Sequence, residues 1–320
     1  EVELACGQSL TGLDFVNARH GLIHGYKWLD KDCDGEWDVG EPGIPGVTVW
    51  LDGETKAVTD GSGHYRFPGL VPGAYEVELD ESTAPWTYPT GPTTAKVVLV
   101  GGEEKRVDFF DAPYASISGF KFWDKDYSGG WSLGDWPMKG VTIELWRDGQ
   151  KIGEDTTDFL GFYCFDDLIP GIYTVVEVAP AGFYPTSPPQ GQHIIDLKCG
   201  DRRCFVNFFN ARYLSISGHK WEDLNCNGRH DFGEPPVDGA AIELWRDGVK
   251  VAEDVTGPAG GYRFTGLTPG CYVVKEVLTP EQAAAWYAKT PADGSWDHVV
   301  LNGCGGDIHG LDFINARYRS

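Results

Sequence analysis

The chain has no run of apolar residues long enough to cross a bilayer, no Asn-x-Ser/Thr sequon and no excess of positive charge. The first absence excludes a transmembrane helix in this segment. The second excludes N-glycan attachment through that motif. The third argues against nucleic acid or an anionic membrane as partner, since 26 Lys and Arg face 48 Asp and Glu, a formal net charge of -22. Groupings that could carry catalysis are scarce too. The eight histidines are scattered and no Ser/His/Asp or zinc-ligand spacing stands out, so the chain does not read as an enzyme. Nothing at the start resembles a signal peptide, and the opening at Glu1 predicts a processed or excised piece whose export signal has gone.

What is present is a calcium-type loop, spelled three times. The first runs from Asp30 to Glu41, with side-chain oxygens from Asp30, Asp32, Asp34, Asp38 and Glu41, Gly35 at the sharp turn, and the Glu36 carbonyl at the seventh position. The second offers Asp124, Asp126, Ser128, Gly129, the Gly130 carbonyl, Ser132 and Asp135. The third offers Asp223, Asn225, Asn227, Gly228, the Arg229 carbonyl, Asp231 and Glu234. This is the spacing by which a twelve-residue loop wraps a hard cation in six or seven oxygens, so about three Ca2+ per chain are expected. The first loop carries the most carboxylates and should bind tightest. The second, whose last ligand is the shorter Asp135, should bind weakest. Sites of modest affinity need plentiful calcium, which points outside the cell.

The loops sit in a longer repeat. Trp28, Phe122 and Trp221 correspond, at steps of 94 and 99 residues. After each loop comes an alternating strand, as in Val47-Thr-Val-Trp-Leu51, and then a hairpin dipeptide: Asp52-Gly53, Asp148-Gly149 or Asp247-Gly248. Seven or so short strands per unit predict a β-sandwich, its Trp, Tyr and Phe used for core and cross-strand packing. The expected architecture is all-β: a closing hairpin (1–19) and three sandwiches (20–113, 114–213 and 214–320), joined by linkers too short to act as free tethers and so forming a stiff rod.

Eight cysteines suit an oxidising compartment. Cys6 and Cys33 are 27 residues apart, as are Cys199 and Cys226, while the matching positions between the first two units are Val100 and Tyr127. Joint presence and absence predict Cys6–Cys33 and Cys199–Cys226 bridges, each clamping the end of one unit to the loop of the next. Local pairing such as Cys199–Cys204 is the alternative. Cys164–Cys204 and Cys271–Cys304 would take the remainder.

Ile-Ser-Gly-x-Lys-(Phe/Trp), the Asp-x-(Asp/Asn)-x-(Asp/Asn)-Gly loop, Thr-Asp-x-x-Gly-x-Tyr-x-Phe and Pro-Gly-x-Tyr recur over residues 20–318. The pattern resembles the calcium-binding B repeats of Sdr-type surface proteins, within the wider Cna B-type, prealbumin-like sandwich group. The resemblance implies Ig-like sandwiches in extracellular stalks, adhesin arms or fibre subunits. Gly257, where the other units have Asp60 and Asp158, leaves any added acidic support of the third site in doubt. Cna-type domains also often carry a Lys–Asn isopeptide bond promoted by a buried carboxylate. The candidates are Lys121, Glu177 and Asn210, and Lys220, Glu276 and Asn315. By alternation with Val175 and Tyr173, Glu177 should point inward. In the first unit Lys27 and Asp111 are present, but Leu79 replaces the acid and Glu78 should face out, so no bond is expected there.

Residues 12–19 repeat at 310–317 with an offset of 298. Either the three-unit block recurs in a longer polypeptide, or an orphan strand pairs with a neighbouring copy by strand addition. Both predict self-association head to tail into a filament. The competing reading is an adhesin arm binding a peptide or glycan, with Trp86 and the Ala283–Trp286 insertion as candidate contacts because they break the repeat.

Overall fold

A computed structural model describes residues 3–9, 11–12, 17–302 and 306–318. Contacts divide the chain into two compact units. One comprises Glu1–Ser118, Cys164–Tyr173 and Ile195–Cys204, the other Gly119–Tyr163, Thr174–Ile194 and Phe205–Ser320. Almost all regular structure is strand, and the strand series recurs three times. The hairpin expected within 1–19 falls partly on residues 13–16, outside the described residues, and the described positions around them are turn and irregular chain.

In the first unit, strand Gly21–Leu29 lies between His64–Leu70, antiparallel to it, and Phe109–Pro113, parallel to it, with Thr87–Pro89 at the far edge and Glu104–Arg106 alongside. The facing sheet runs Thr55–Val58, Thr48–Leu51, Gly73–Leu79, Thr94–Leu99. Inward residues of both sheets, among them Ile23, Val49, Tyr65, Val77 and Phe109, form the core. The Asp52-Gly53 turn has positive φ at both residues (49° and 67°), the conformation that matches the twist of a two-residue hairpin, and Asp148-Gly149 and Asp247-Gly248 do likewise.

The second unit repeats the scheme. Lys121 aligns with Phe208 and Lys220 with Phe313 in parallel register, and Thr142–Arg147 and Ala241–Arg246 each form a hairpin with the strand that follows. The Ile-Ser-Gly motif has a steric cause here. A Cβ on Gly25 would lie 1.6 Å from the Val107 carbonyl oxygen, and Gly119 and Gly218 meet Val206 and Leu311 in the same way. That carbonyl also accepts the hydroxyl of the motif tyrosine: Tyr65 to Val107 (2.6 Å), Tyr163 to Val206 (2.5 Å), Tyr262 to Leu311 (2.5 Å). Glycine and tyrosine together fix the crossing of the closing segment over the first strand.

Two expectations need correction. No tryptophan is in the core among the described residues, which is built of Tyr, Phe and aliphatic side chains. The indoles lie half-buried or exposed, and several N–H groups reach a polar partner, as Trp146 donates to Glu144 (2.9 Å) and Trp245 to Glu243 (2.8 Å), whereas Trp221 Nε1 is buried without one. Among the described residues there are also one α-helix, Pro280–Ala285, opened by a capping box between Thr279 and Gln282, and a 3-10 turn at Glu81–Thr83.

Candidate functional site

Each acidic loop begins where the first strand of its repeat ends beside the closing strand. Asp30 N donates to Asp111 O (2.9 Å), Asp124 N to Asn210 O (2.9 Å) and Asp223 N to Asn315 O (2.8 Å). The first aspartate of each loop is therefore buried, and its carboxylate is aimed by backbone amides. Asp30 accepts from Cys33, Asp34 and Gly35 at 2.6, 3.2 and 2.9 Å, Asp124 from Ser128 and Gly129 at 3.0 and 2.9 Å, and Asp223 from Asn227 and Gly228 at 3.2 and 2.7 Å. The last acid closes the ring from the other side: Glu41 accepts from Lys31 and Asp38, Asp135 from Lys125 and Ser132, and Glu234 from Leu224 and Asp231.

Carboxylate oxygens converge within 4.8 Å in two overlapping groups in the first loop, Asp30, Asp32 and Glu41, and Asp32, Asp34 and Asp38. The second loop has one such group, Asp124, Asp126 and Asp135. In the first, desolvation within the loop and then the like charges of Asp34, Asp38 and Asp30 push the exposed Asp32 above the ordinary carboxylate range. In the second, hydrogen bonds from Ser128 and Ser132 hold Asp126 down at about 2. In the third, Asn225 and Asn227 donate side-chain amides to Asp231 (2.8 and 2.6 Å), which lowers its pKa. An all-oxygen donor set on a backbone frame already in place fits a hard divalent cation, which Asp30, Asp32, Asp34, Asp38 and Glu41, with the Glu36 carbonyl, would hold in the first loop. Asp60 and Asp158 are not part of it. They cap the turns at Ser62 and His64 and at Leu160 and Phe162, so Gly257 removes a turn cap rather than a ligand.

Under the same strands sit three buried lysines. Lys121 Nζ is 2.9 Å from Glu177 Oε2 with both side chains inaccessible, and Asn210 is fully buried beside them without a hydrogen-bond partner for either amide atom. Lys220 pairs with Glu276, which also accepts from Asn315 Nδ2 (2.9 and 3.1 Å). Lys27 pairs with Asp111, which accepts from Thr87 Oγ1 (2.8 Å), while Leu79 is buried and Glu78 exposed. Burial lowers all three amines against the pull of their acid partners, Lys121 to about 8.

Among the described residues the one disulfide is Cys33–Cys199, replacing the expected Cys6–Cys33 and Cys199–Cys226. The reason is the parallel register of Gly21–Leu29 with Phe109–Pro113. Both strands end at the first loop, so the loop meets the start of the following repeat, where Ser116 pairs with Arg202 just past the Cys199 turn. Cys6, Cys204 and Cys226 are free thiols, which also excludes Cys164–Cys204 and Cys199–Cys204; Cys164 Sγ donates to Asp166 (3.4 Å). Cys304, the expected partner of Cys271, lies outside the described residues. At the loop position of Cys33 the middle repeat has Tyr127, whose hydroxyl donates to Arg212 O (2.9 Å) and whose ring packs on the third repeat's core. Motif reading missed Thr186 and Thr290, which brace the second and third loops at Asp124 Oδ2 (2.6 Å) and Gly228 O (2.8 Å). The signal in each case is a threonine shortly before a proline.

A family model described as the SdrD B-like domain matches residues 22–96, 115–199 and 214–301. Serine-aspartate repeat-containing protein F of Staphylococcus epidermidis is 29% identical over 86% of the chain, and colossin-A of Dictyostelium discoideum is 30% identical over 82%. Serine-aspartate repeat-containing protein D of Staphylococcus aureus (strain MW2) is 28% identical over 78%. The chain spans only 18%, 3% and 21% of the lengths of these relatives. Among solved structures, BcpA, the major pilin subunit of Bacillus cereus, aligns over 94% of this chain and 100% of its own at 13% identity and a TM-score of 0.40.

Proposed function

Since the chain belongs to the SdrD B-like domain family, we propose that it is a structural segment of a cell-surface protein, a calcium-stiffened stalk or head-to-tail filament rather than an enzyme. The observation that carries the reading is the threefold loop, each copy with a buried first aspartate held by backbone amides at the junction of first and closing strands. A cation there would tie the loop to both strands and suppress its opening. Electron microscopy of native material in millimolar calcium, and again after chelation, tests this. Long uniform fibres that soften or fray without calcium are expected. Isolated short rods in both conditions would favour an adhesin arm, for which Trp86, 53% exposed, and the Pro280–Ala285 insertion are the surfaces to probe.

The lysine clusters support a second layer of stiffening. In the middle and third repeats, the neutral amine of Lys121 or Lys220 would attack the side-chain carbonyl carbon of Asn210 or Asn315. Glu177 or Glu276 would shuttle the proton, and ammonia would leave as the amide bond forms. Each bond lowers the intact mass by about 17 Da. An unshifted mass would exclude the crosslink. The first repeat lacks the acid and is expected to keep its Lys27–Asp111 ion pair.

A further inference from the structure

The outer face of the first repeat carries a histidine pair whose spacing is invisible in the sequence. His24 Nδ1 lies 3.3 Å from His64 Nε2, and the other ring nitrogen of His24, Nε2, lies 3.3 Å from Glu104 Oε1. The three residues come from three strands: His24 from Gly21–Leu29, His64 from the antiparallel neighbour His64–Leu70, Glu104 from the parallel neighbour Glu104–Arg106. We propose that His24 and His64 form a two-histidine site for a borderline divalent cation, Zn2+ as the representative case, separate from the acidic loops.

Three features support this. Two ligands about 2.0–2.1 Å from a tetrahedral zinc are about 3.3 Å apart, which is the nitrogen separation already in place. Glu104 takes the proton on His24 Nε2, leaving the Nδ1 lone pair directed at the gap, and a carboxylate behind a histidine is the arrangement that orients and strengthens an imidazole ligand. Of the two arginines in register with His24 on the adjoining strands, Arg66 and Arg106, Arg106 is neutralised by Asp108 through contacts of 2.7–3.0 Å. Imidazole favours this class of metal as carboxylate favours calcium, so the two kinds of site would sort their ions by ligand chemistry. The site belongs to one repeat: Ser118 and Phe162 stand at the corresponding positions of the second, Ser217 and Gly261 at those of the third. Two protein ligands leave two tetrahedral positions to water or to a donor from another molecule.

Calorimetric Zn2+ titration of the whole chain tests the assignment, with calcium saturating the acidic loops and the free thiols alkylated. One site per chain is expected. His24→Ala and His64→Ala should each weaken it on the order of 100-fold or more, Glu104→Gln on the order of 10-fold, and His309→Ala, in the third repeat, not at all. Unchanged melting temperatures without zinc would show that the variants fold. No zinc uptake by the parent chain, or unchanged affinity in either histidine variant, would overturn the proposal and reduce the pair to an imidazole–imidazole hydrogen bond.

Discussion

At the residue scale, the positions that decide most are a glycine, a tyrosine and a lysine. Gly25→Ala would press a methyl group into the Val107 carbonyl and should cost about 3 kcal/mol or more. Tyr65→Phe should cost about 1 kcal/mol by leaving that carbonyl without its donor. Both are measurable by denaturant unfolding, and losses below a few tenths would show that the crossing is not fixed there. Lys121 gives a pH test. Burial lowers its folded pKa to about 8 from the ordinary lysine value of 10.5. Between these values the unfolded chain holds a proton that the folded one does not, so stability should rise with pH across that window. Once Lys121 is locked in an amide bond it has nothing to titrate, and the slope disappears. Comparison of the native chain with Asn210→Ala, which removes the acyl partner and leaves Lys121 paired with Glu177, reads the difference. The same slope in both would argue against a crosslink.

At the scale of elements, calcium should leave the loops in order. The first has two carboxylate groups converging and the second only one, closed by the shorter Asp135. In the third, Asn225 and Asn227 must turn their amides away from Asp231 to offer oxygen. Chelator titration followed by amide exchange is expected to release protection in the second loop at the lowest chelator and in the first at the highest, whereas simultaneous loss would contradict the ranking. Most of this was legible in the sequence. Alternation and the Asp-Gly hairpins specified the strands, loop spacing marked the acids that converge in the first two loops, and the phase of Glu177 against Tyr173 put its carboxylate inside. Cysteine pairing and the place of the tryptophans were not legible. Pairing depends on which strand ends meet in space, and a residue spacing cannot say whether a loop faces the repeat before it or the repeat after it. Several indole N–H groups find polar partners on outer faces, where hydropathy alone would not place tryptophan. The His24–His64 contact was hidden because it joins strands 40 residues apart.

At the scale of the whole molecule, one covalent feature changes how the chain would respond to load. The Cys33–Cys199 bond closes a loop across a sequence separation of 166 residues. Pulled from its two ends, an oxidised chain transmits tension through the sulfur bridge, and everything between the two cysteines is shielded. At about 3.5 Å per extended residue, roughly 580 Å of contour length stays hidden until the bond is reduced. Single-molecule stretching should record unfolding steps that omit this length in oxidising buffer and restore it with a reductant, and identical traces would mean that the bridge carries no force. A tether built this way would set its maximum reach by the redox state of its surroundings as much as by the strength of its folds.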